Sequence, residues 1–453
     1  MSNPNILLIV IDSLRSDKCF GNEKSSLTPT IDLLITNGTF FSQTISSAAS
    51  TILAVSSLLS GTYPFRIGLG GNSYNKLDEN IPNLVKVLNE NGYNTYATAP
   101  EIAKDFGLVC DFQNPDTSYD NYYSLFSGLG DDILKKFNND ELKTPWFFYI
   151  HLFDLHTPVI VPPGFHDKKF GSTQYEKMVS AIDSWLSYLL KFIDMKNTMI
   201  ILTSDHGEYI PVLETKNGVI DLESSGVEQS MWKVGNKIPQ NLFPLKRKMG
   251  KILRNSRSKL KSSKINESEL SVYEKRVLLD SRMSVGHRMY DDLLKIPLII
   301  SGTDIPKNNV ISEMVRQVDI FPTILDVLSI SLPNPIDGVS LVPLLKNKSL
   351  DGLVSHIESP PSIEDSSKKY IGIRNQEFKY IRDLDNTENN IELYNLISDP
   401  YEEINIANKE LNKIREMEDK LISIRNQKFF PEKSFDKDEK KKVEDILKKL
   451  GYT

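Results

Sequence analysis

The chain has 453 residues, 40% of them hydrophobic and 25% charged, and a formal net charge of −6. That is the composition of a globular protein with a large core, and it carries no global basic field of the kind nucleic-acid binding requires. The only cysteines, Cys19 and Cys110, exclude a disulfide framework and a cysteine-based zinc site.

The amino-terminal run NILLIVI (5–11) has no preceding basic segment and stops at Asp12, so it reads as a buried strand rather than a signal peptide. No stretch approaches the roughly twenty apolar residues of a membrane span. The expectation is a soluble, cytoplasmic protein without a transmembrane anchor.

The segment ISSAASTILAVSSLLSG (45–61) follows, an amphipathic helix pattern closed by Gly61, with Ser50 or Thr51 available as its amino-terminal cap. Further apolar runs, NTYATA (94–99), PWFFYIHLF (145–153), NTMIILTS (197–204) and IPLIISG (296–302), read as buried strands. They alternate with helical patterns at 81–92 and 175–194. This alternation predicts an α/β fold on a mostly parallel sheet flanked by helices.

From Lys246 to Lys264 the chain holds nine Lys or Arg and no acid, inside a polar insertion at about 210–282. It reads as a solvated surface insertion or as a basic flap for peripheral contact with an anionic surface. After residue 345 shorter alternating strands suggest a smaller antiparallel α+β subdomain. The expected organisation is a catalytic domain at 1–345, the α+β subdomain at 346–430 and a charged helix at 431–453.

Chemistry-bearing residues recur at strand ends. Asp12 follows the first strand, Asp154 and His156 the strand at 145–153, and Asp205 and His206 the strand at 197–204. In a parallel sheet these carboxyl ends form one edge, where ligands bind. Asp12, Asp205 and His206 make a mixed carboxylate and imidazole set that suits Mn²⁺ or Zn²⁺ better than Ca²⁺ or Mg²⁺. A nearby divalent ion would lower the pKa of the Thr51 hydroxyl, and a helix start favours the resulting negative charge. Read alone, Thr51 is first a capping hydroxyl, and a helix cap is the lesser alternative for Asp205.

The ordered motifs NILLIVIDSLRSD, STILAVSSLLSGTYPFRIG, FFYIHLFDLHTPVIVP, TSDHGE, GHRMYDDLLKIPLIISG, VRQVDIFPTILDVLSI and ELYNLISDPYEEINIA resemble the sulfatase family of the alkaline phosphatase superfamily. The resemblance implies one divalent ion held by Asp12, Thr51, Asp205 and His206, with Thr51 at the nucleophile position. It places His156, and more weakly His287 and His151, on the substrate side. Arg15 either holds a substrate oxygen or makes a structural ion pair.

The window Thr51, Ile52, Leu53, Ala54, Val55 departs from the C/S-x-P-x-R signature of formylglycine sulfatases. With Ser13 after Asp12, it is similar instead to the threonine branch of lipoteichoic acid synthases and phosphoethanolamine transferases. The implied function is a hydrolase or transferase of a small-molecule, glycan-linked or lipid-linked anionic ester, phosphate favoured over sulfate. A genuine sulfuric ester hydrolase and an inactive binding protein are the alternatives.

Overall fold

The computed structural model describes residues 3–22, 24–69, 77–119, 124–139, 141–215, 218–222, 267–281, 287–302, 304–350, 352–360 and 369–426. The basic run 246–264 and the expected helix at 431–453 lie outside the described residues.

The apolar runs form strands where their burial demands it. β1 (Asn5–Ile11) is buried at all seven positions and lies between β5 (Trp146–Leu152) and β6 (Thr198–Thr203), parallel to both. β3 (Asn94–Thr98) continues the sheet beyond β5, and β4 (Asn114–Asp116) ends it. On the other side, β9 (Lys295–Ser301) joins β6 to β2 (Gly38–Ile45), with β10 (Asn309–Ile311) and the short β11 (Val315–Arg316) pairing with β2.

The sheet is mixed: β9 runs antiparallel to both β6 and β2. Its IPLIISG run reads the same either way, because burial on both faces erases the alternation that would mark an antiparallel strand. Helices cover both faces. The helix Gln174–Leu189 starts with a capping box between Thr173 and Glu176 and packs on one face. The helix α2 (Thr51–Ser60) packs on the other.

α2 departs from expectation. All ten of its residues are buried, so it is a core helix rather than an amphipathic one. Its small Ser and Ala side chains let it lie close to the sheet and the helix Ile320–Val327. Gly61 ends it with φ of 64°, and a Cβ there would meet Phe321 Cδ1 at 2.5 Å, so both conformation and space require glycine.

After residue 345 a four-stranded antiparallel sheet forms from Ser355–Glu358, Tyr370–Arg374, Phe378–Asp383 and Glu392–Asn395, covered by the helix Leu411–Arg425. Buried ion pairs tie it to the helical turn Asp291–Leu294 that leads into β9: Lys379 and Arg374 both reach Asp291, at 2.5 and 3.1 Å, while within the carboxyl-terminal region Lys379 also reaches Glu402 at 2.7 Å. The ends of the 210–282 insertion are ordered structure, a hairpin of Val212–Thr215 with Gly218–Asp221 and a helix at Val272–Ser281.

Candidate active site

Strand parity brings the site together. Ile6, Leu8 and Val10 of β1, Phe147 and Tyr149 of β5, and Met199 and Ile201 of β6 all belong to the core that α2 covers. Because side chains alternate, Asp12, His151 and Asp205 continue those rows onto the same face. One ligand atom from each of these three residues lies within 4.8 Å of the others.

Thr51 meets this cluster from the opposite layer. Its hydroxyl donates to Asp12 Oδ2 at 3.0 Å. Ser50 holds the cap position but makes no side-chain capping bond, so capping does not account for the hydroxyls there. The start of α2 instead directs its positive dipole end at the Asp12 side chain through Thr51.

The turn after β1 is locked from several sides. Ser13 has φ of 62° and donates through its backbone to Asp205 Oδ1 at 3.1 Å and through its hydroxyl to Asp12 Oδ1 at 2.6 Å. Ser204 Oγ donates to the Ile11 carbonyl at 2.7 Å and accepts from Leu14 N at 2.9 Å. Tyr175 closes the turn by donating to the Ser13 carbonyl at 2.7 Å while accepting from Arg15 N at 2.9 Å.

Asp205 and His206 occupy the turn after β6. His206 N donates to Asp205 Oδ1 at 2.8 Å, and Gln317 donates to the Ser204 and Asp205 carbonyls at 3.1 Å each. His206 Nδ1 lies 2.8 Å from the Gly207 carbonyl and Nε2 lies 3.6 Å from Asp205 Oδ2. Gly207 serves here through close approach rather than through a left-handed turn: a Cβ would sit 2.2 Å from the Asp292 carbonyl oxygen.

The electrostatics are those of a cation site. Burial acts to raise the Asp12 carboxyl, but His151, His206 and His156 together pull it well below the usual carboxylate range. Burial and the Asp12 charge push Asp205 up. Burial opposes a charge on His206, yet Asp205 and Asp12 raise it above an ordinary histidine. His151 Nε2, His206 Nε2 and Asp205 Oδ2 are buried without hydrogen-bond partners among the described residues. Two carboxylates and the orphaned His151 nitrogen at this spacing fit a divalent ion, and the orphaned His206 Nε2 stands beside Asp205.

The remaining predicted residues are distributed differently. His151, read as facing substrate or core, is 1% exposed and stands inside the carboxylate cluster, its Nε2 3.8 Å from Asp12 Oδ2. His156 lies at the partly exposed rim, stacked on Phe153, close enough for its charge to act on Asp12. His287 is buried between Glu392, 3.1 Å from its Nε2, and Met289 N, which donates to its Nδ1 at 3.0 Å. Arg15 forms the ion-pair alternative: it binds Asp17 at 2.9 Å and Asp292 at 2.8 Å.

Sequence reasoning missed Tyr149 and Tyr175. Tyr149 Oη lies 2.7 Å from His151 Nδ1 and is fully buried; burial, with the Asp205 and Asp12 charges, keeps the phenol protonated well above its ordinary range. The i, i+2 spacing of Tyr149 and His151 was the available signal, since it places both on one strand face.

The mostly parallel mixed sheet with helices on both faces and an antiparallel carboxyl-terminal sheet defines an alkaline-phosphatase-like α/β protein of the sulfatase type. Comparison with family models matches residues 4–330 to Sulfatase and residues 278–427 to the carboxyl-terminal region of N-sulphoglucosamine sulphohydrolase. The chain therefore belongs to the sulfatase family.

It is 31% identical to arylsulfatase K of Xenopus laevis over 153 residues, covering 32% of this chain and 28% of that protein. It thus spans less than a third of that relative's length. Over 90% of this chain and 78% of the relative, it is 21% identical to the ulvan-active sulfatase of Formosa agariphila. The fold is similar to the phosphonate monoester hydrolase of Agrobacterium radiobacter, with a TM-score of 0.65, 17% identity and coverage of 94% and 96% of the two chains. It is also similar to a structure complexed with its substrate D-glucosamine-2-N,6-O-disulfate, with a TM-score of 0.63, 16% identity and coverage of 94% and 98%. Among the described residues no helix is long and apolar enough to cross a membrane.

Proposed function

We propose that the protein is a metal-dependent hydrolase or transferase of anionic esters, with Thr51 as its nucleophile and phosphate or phosphonate esters favoured over sulfate esters. The observation that carries this reading is the hydrogen bond from Thr51 Oγ1 to Asp12 Oδ2 at the start of a buried helix. A threonine hydroxyl needs such a partner to act at neutral pH.

Asp12, Thr51, Asp205 and His206 are the residues that would hold one divalent cation, Mn²⁺ or Zn²⁺ by their donor types; Asp12 and Asp205 cluster with His151, Thr51 binds Asp12, and His206 Nε2 lies 3.6 Å from Asp205 Oδ2. Bound there, the ion would supply Lewis-acid stabilisation of charge on the ester oxygens. Thr51, oriented by Asp12 Oδ2, attacks the central phosphorus or sulfur in line, and the ester oxygen opposite leaves with the proton that the threonine hydroxyl gives up. His156 at the rim orients the remaining oxygens. Water or an acceptor alcohol then displaces the threonine oxygen from the central atom, and the hydroxyl regains a proton.

The preference for phosphorus follows from that second step. A phosphothreonine can be released by another in-line displacement, whereas a sulfated threonine has no aldehyde hydrate to expel sulfate by elimination. Small molecules and glycan-linked or lipid-linked esters all present such a group. The family membership and the sulfatase relatives favour a second reading, hydrolysis of a sulfuric ester.

The test is a panel of aryl sulfate, aryl phosphate, phosphonate monoester and phosphodiester substrates on wild type and Thr51→Ala, with elemental analysis of the purified protein. Phosphoester or phosphonate turnover lost in Thr51→Ala, with stoichiometric metal in wild type, supports the first reading. Turnover of the sulfate alone supports the second, and an inert, metal-free wild type sinks both.

A further inference from the structure

The two buried histidines of the site face opposite kinds of partner. His206 Nδ1 lies 2.8 Å from the Gly207 carbonyl oxygen, which can only accept. That fixes the ring proton on Nδ1 and leaves the Nε2 lone pair, 3.6 Å from Asp205 Oδ2, for a cation. His151 Nδ1 lies 2.7 Å from the Tyr149 hydroxyl. Tyr149 is wholly buried, and among the described residues the His151 nitrogen is the acceptor within its reach.

The hydrogen-bond inventory then decides the second tautomer. A neutral phenol must place its proton somewhere, and a buried hydroxyl proton without an acceptor is unfavourable. If His151 carried its proton on Nδ1, whether as the neutral ring or as imidazolium, it would donate to Tyr149 and orphan the phenol proton. Donation from Tyr149 to Nδ1 avoids this and puts the ring proton on Nε2. That nitrogen lies 3.8 Å from Asp12 Oδ2, less than 1 Å beyond hydrogen-bond distance.

We infer that Tyr149 holds His151 as its Nε2–H tautomer, so that His151 is a positioning donor to Asp12 and His206 alone is the imidazole ligand of the cation site. Asp12 Oδ2 then faces two donors, the Thr51 hydroxyl at hydrogen-bond distance and the His151 N–H at 3.8 Å, from opposite layers. When Thr51 releases its hydrogen bond to react, the imidazole N–H still faces the same carboxylate oxygen. The residues left to hold a cation would then offer two carboxylates, one hydroxyl and one nitrogen, a harder donor set than one with two imidazoles.

This inference rests on the reading that a divalent cation binds here, but the tautomer is measurable without one. The chain contains six histidines, so long-range ¹H–¹⁵N spectra of histidine-labelled protein are assignable with His151→Gln and His206→Gln. The metal-free full chain at pH 8 is expected to show His151 protonated at Nε2 and His206 protonated at Nδ1. Titration with Zn²⁺ is expected to move the Nε2 signal of His206 and to leave His151 in its tautomer.

Tyr149→Phe is expected to introduce the Nδ1–H form of His151, a change that loss of packing alone would not produce. By calorimetry, His206→Ala is expected to weaken Zn²⁺ binding by more than about 100-fold, and His151→Gln, which keeps a donor in place of Nε2–H, by less than the roughly 10–100-fold typical of losing a residue that positions a ligand. An Nδ1–H signal for wild-type His151, a Zn²⁺-induced shift of its Nε2, or equal losses in the two variants would overturn the inference. Zn²⁺ moving neither histidine would overturn the cation reading, while the metal-free spectrum still decides the tautomer.

Discussion

Thr51 and Asp12, 39 residues apart in sequence, meet across two layers of the protein in a 3.0 Å hydrogen bond. One ends a buried strand and the other begins a buried helix, so neither has an entropic route out of the contact. If Thr51 is the nucleophile, Thr51→Ala should lower kcat by on the order of 10³ or more with little change in melting temperature. Thr51→Ser keeps the oxygen and should retain much more activity; equal activity of wild type and Thr51→Ala in a steady-state assay would refute the assignment.

Removing a bound cation leaves the Asp12 and Asp205 carboxylates facing one another in the interior. Dialysis against a chelator should therefore lower the melting temperature, and Mn²⁺ or Zn²⁺ should restore it. At a free ion concentration of about 100 Kd the restored stability is about 2.7 kcal/mol. Asp205→Asn should blunt this response, and differential scanning calorimetry with and without metal checks it.

Asp154 gives a pH dependence. It is 7% exposed, accepts from Leu125 N at 3.0 Å, and burial pushes its carboxyl up to about 7 from the ordinary 3.8. Between those values the folded chain binds the proton more tightly than the unfolded chain, so this group makes stability fall as pH rises from about 4 to about 7. Asp154→Asn keeps the acceptor and removes the charge. It should flatten that slope and stabilise the protein at pH 8 by on the order of 2 kcal/mol, as denaturant titrations at pH 5 and pH 8 would show.

Gly207→Ala inserts a methyl group 2.2 Å from the Asp292 carbonyl oxygen, beside the Asp205–His206 turn. Something must shift, at a cost of roughly 1–3 kcal/mol. The displaced turn should also weaken metal binding, so thermal melts and Zn²⁺ titrations should change together. A variant with normal values in both would show that the turn has slack.

Tyr175→Phe deletes the hydroxyl that bridges the Ser13 carbonyl and Arg15 N. Two buried backbone groups lose that partner, and the left-handed Ser13 loses its clamp, so stability should drop by about 1–3 kcal/mol. Because the same turn carries Asp12, activity should fall by more than the folded fraction explains, and activity per folded molecule at a temperature well below the melt measures that excess.

The α/β class, the β1 strand and the acids at strand ends were legible in the sequence because burial on both faces and strand-end position leave local marks. From local pattern Ser50 and Thr51 were legible only as a helix start, with Thr51 set apart by the family resemblance alone: their hydroxyls look alike in sequence, and it is the structure that places Thr51 against Asp12 while Ser50 stands at the cap. His151 shows why the rest was hidden. Its membership in the cluster depends on β5 lying beside β1 with Val10 opposite His151, a register set by long-range pairing.

The sequence by itself determined which chemical groups are available and that they stand at the carboxyl ends of strands, since residue type and local periodicity are properties of short segments. Only the tertiary structure decided which of them share a face, that β9 runs antiparallel, that Arg15 is bound by Asp17 and Asp292, and that Tyr149 stands behind His151. Those outcomes follow from strand order, register and layer packing, which are settled by burial across the whole core rather than by any one segment.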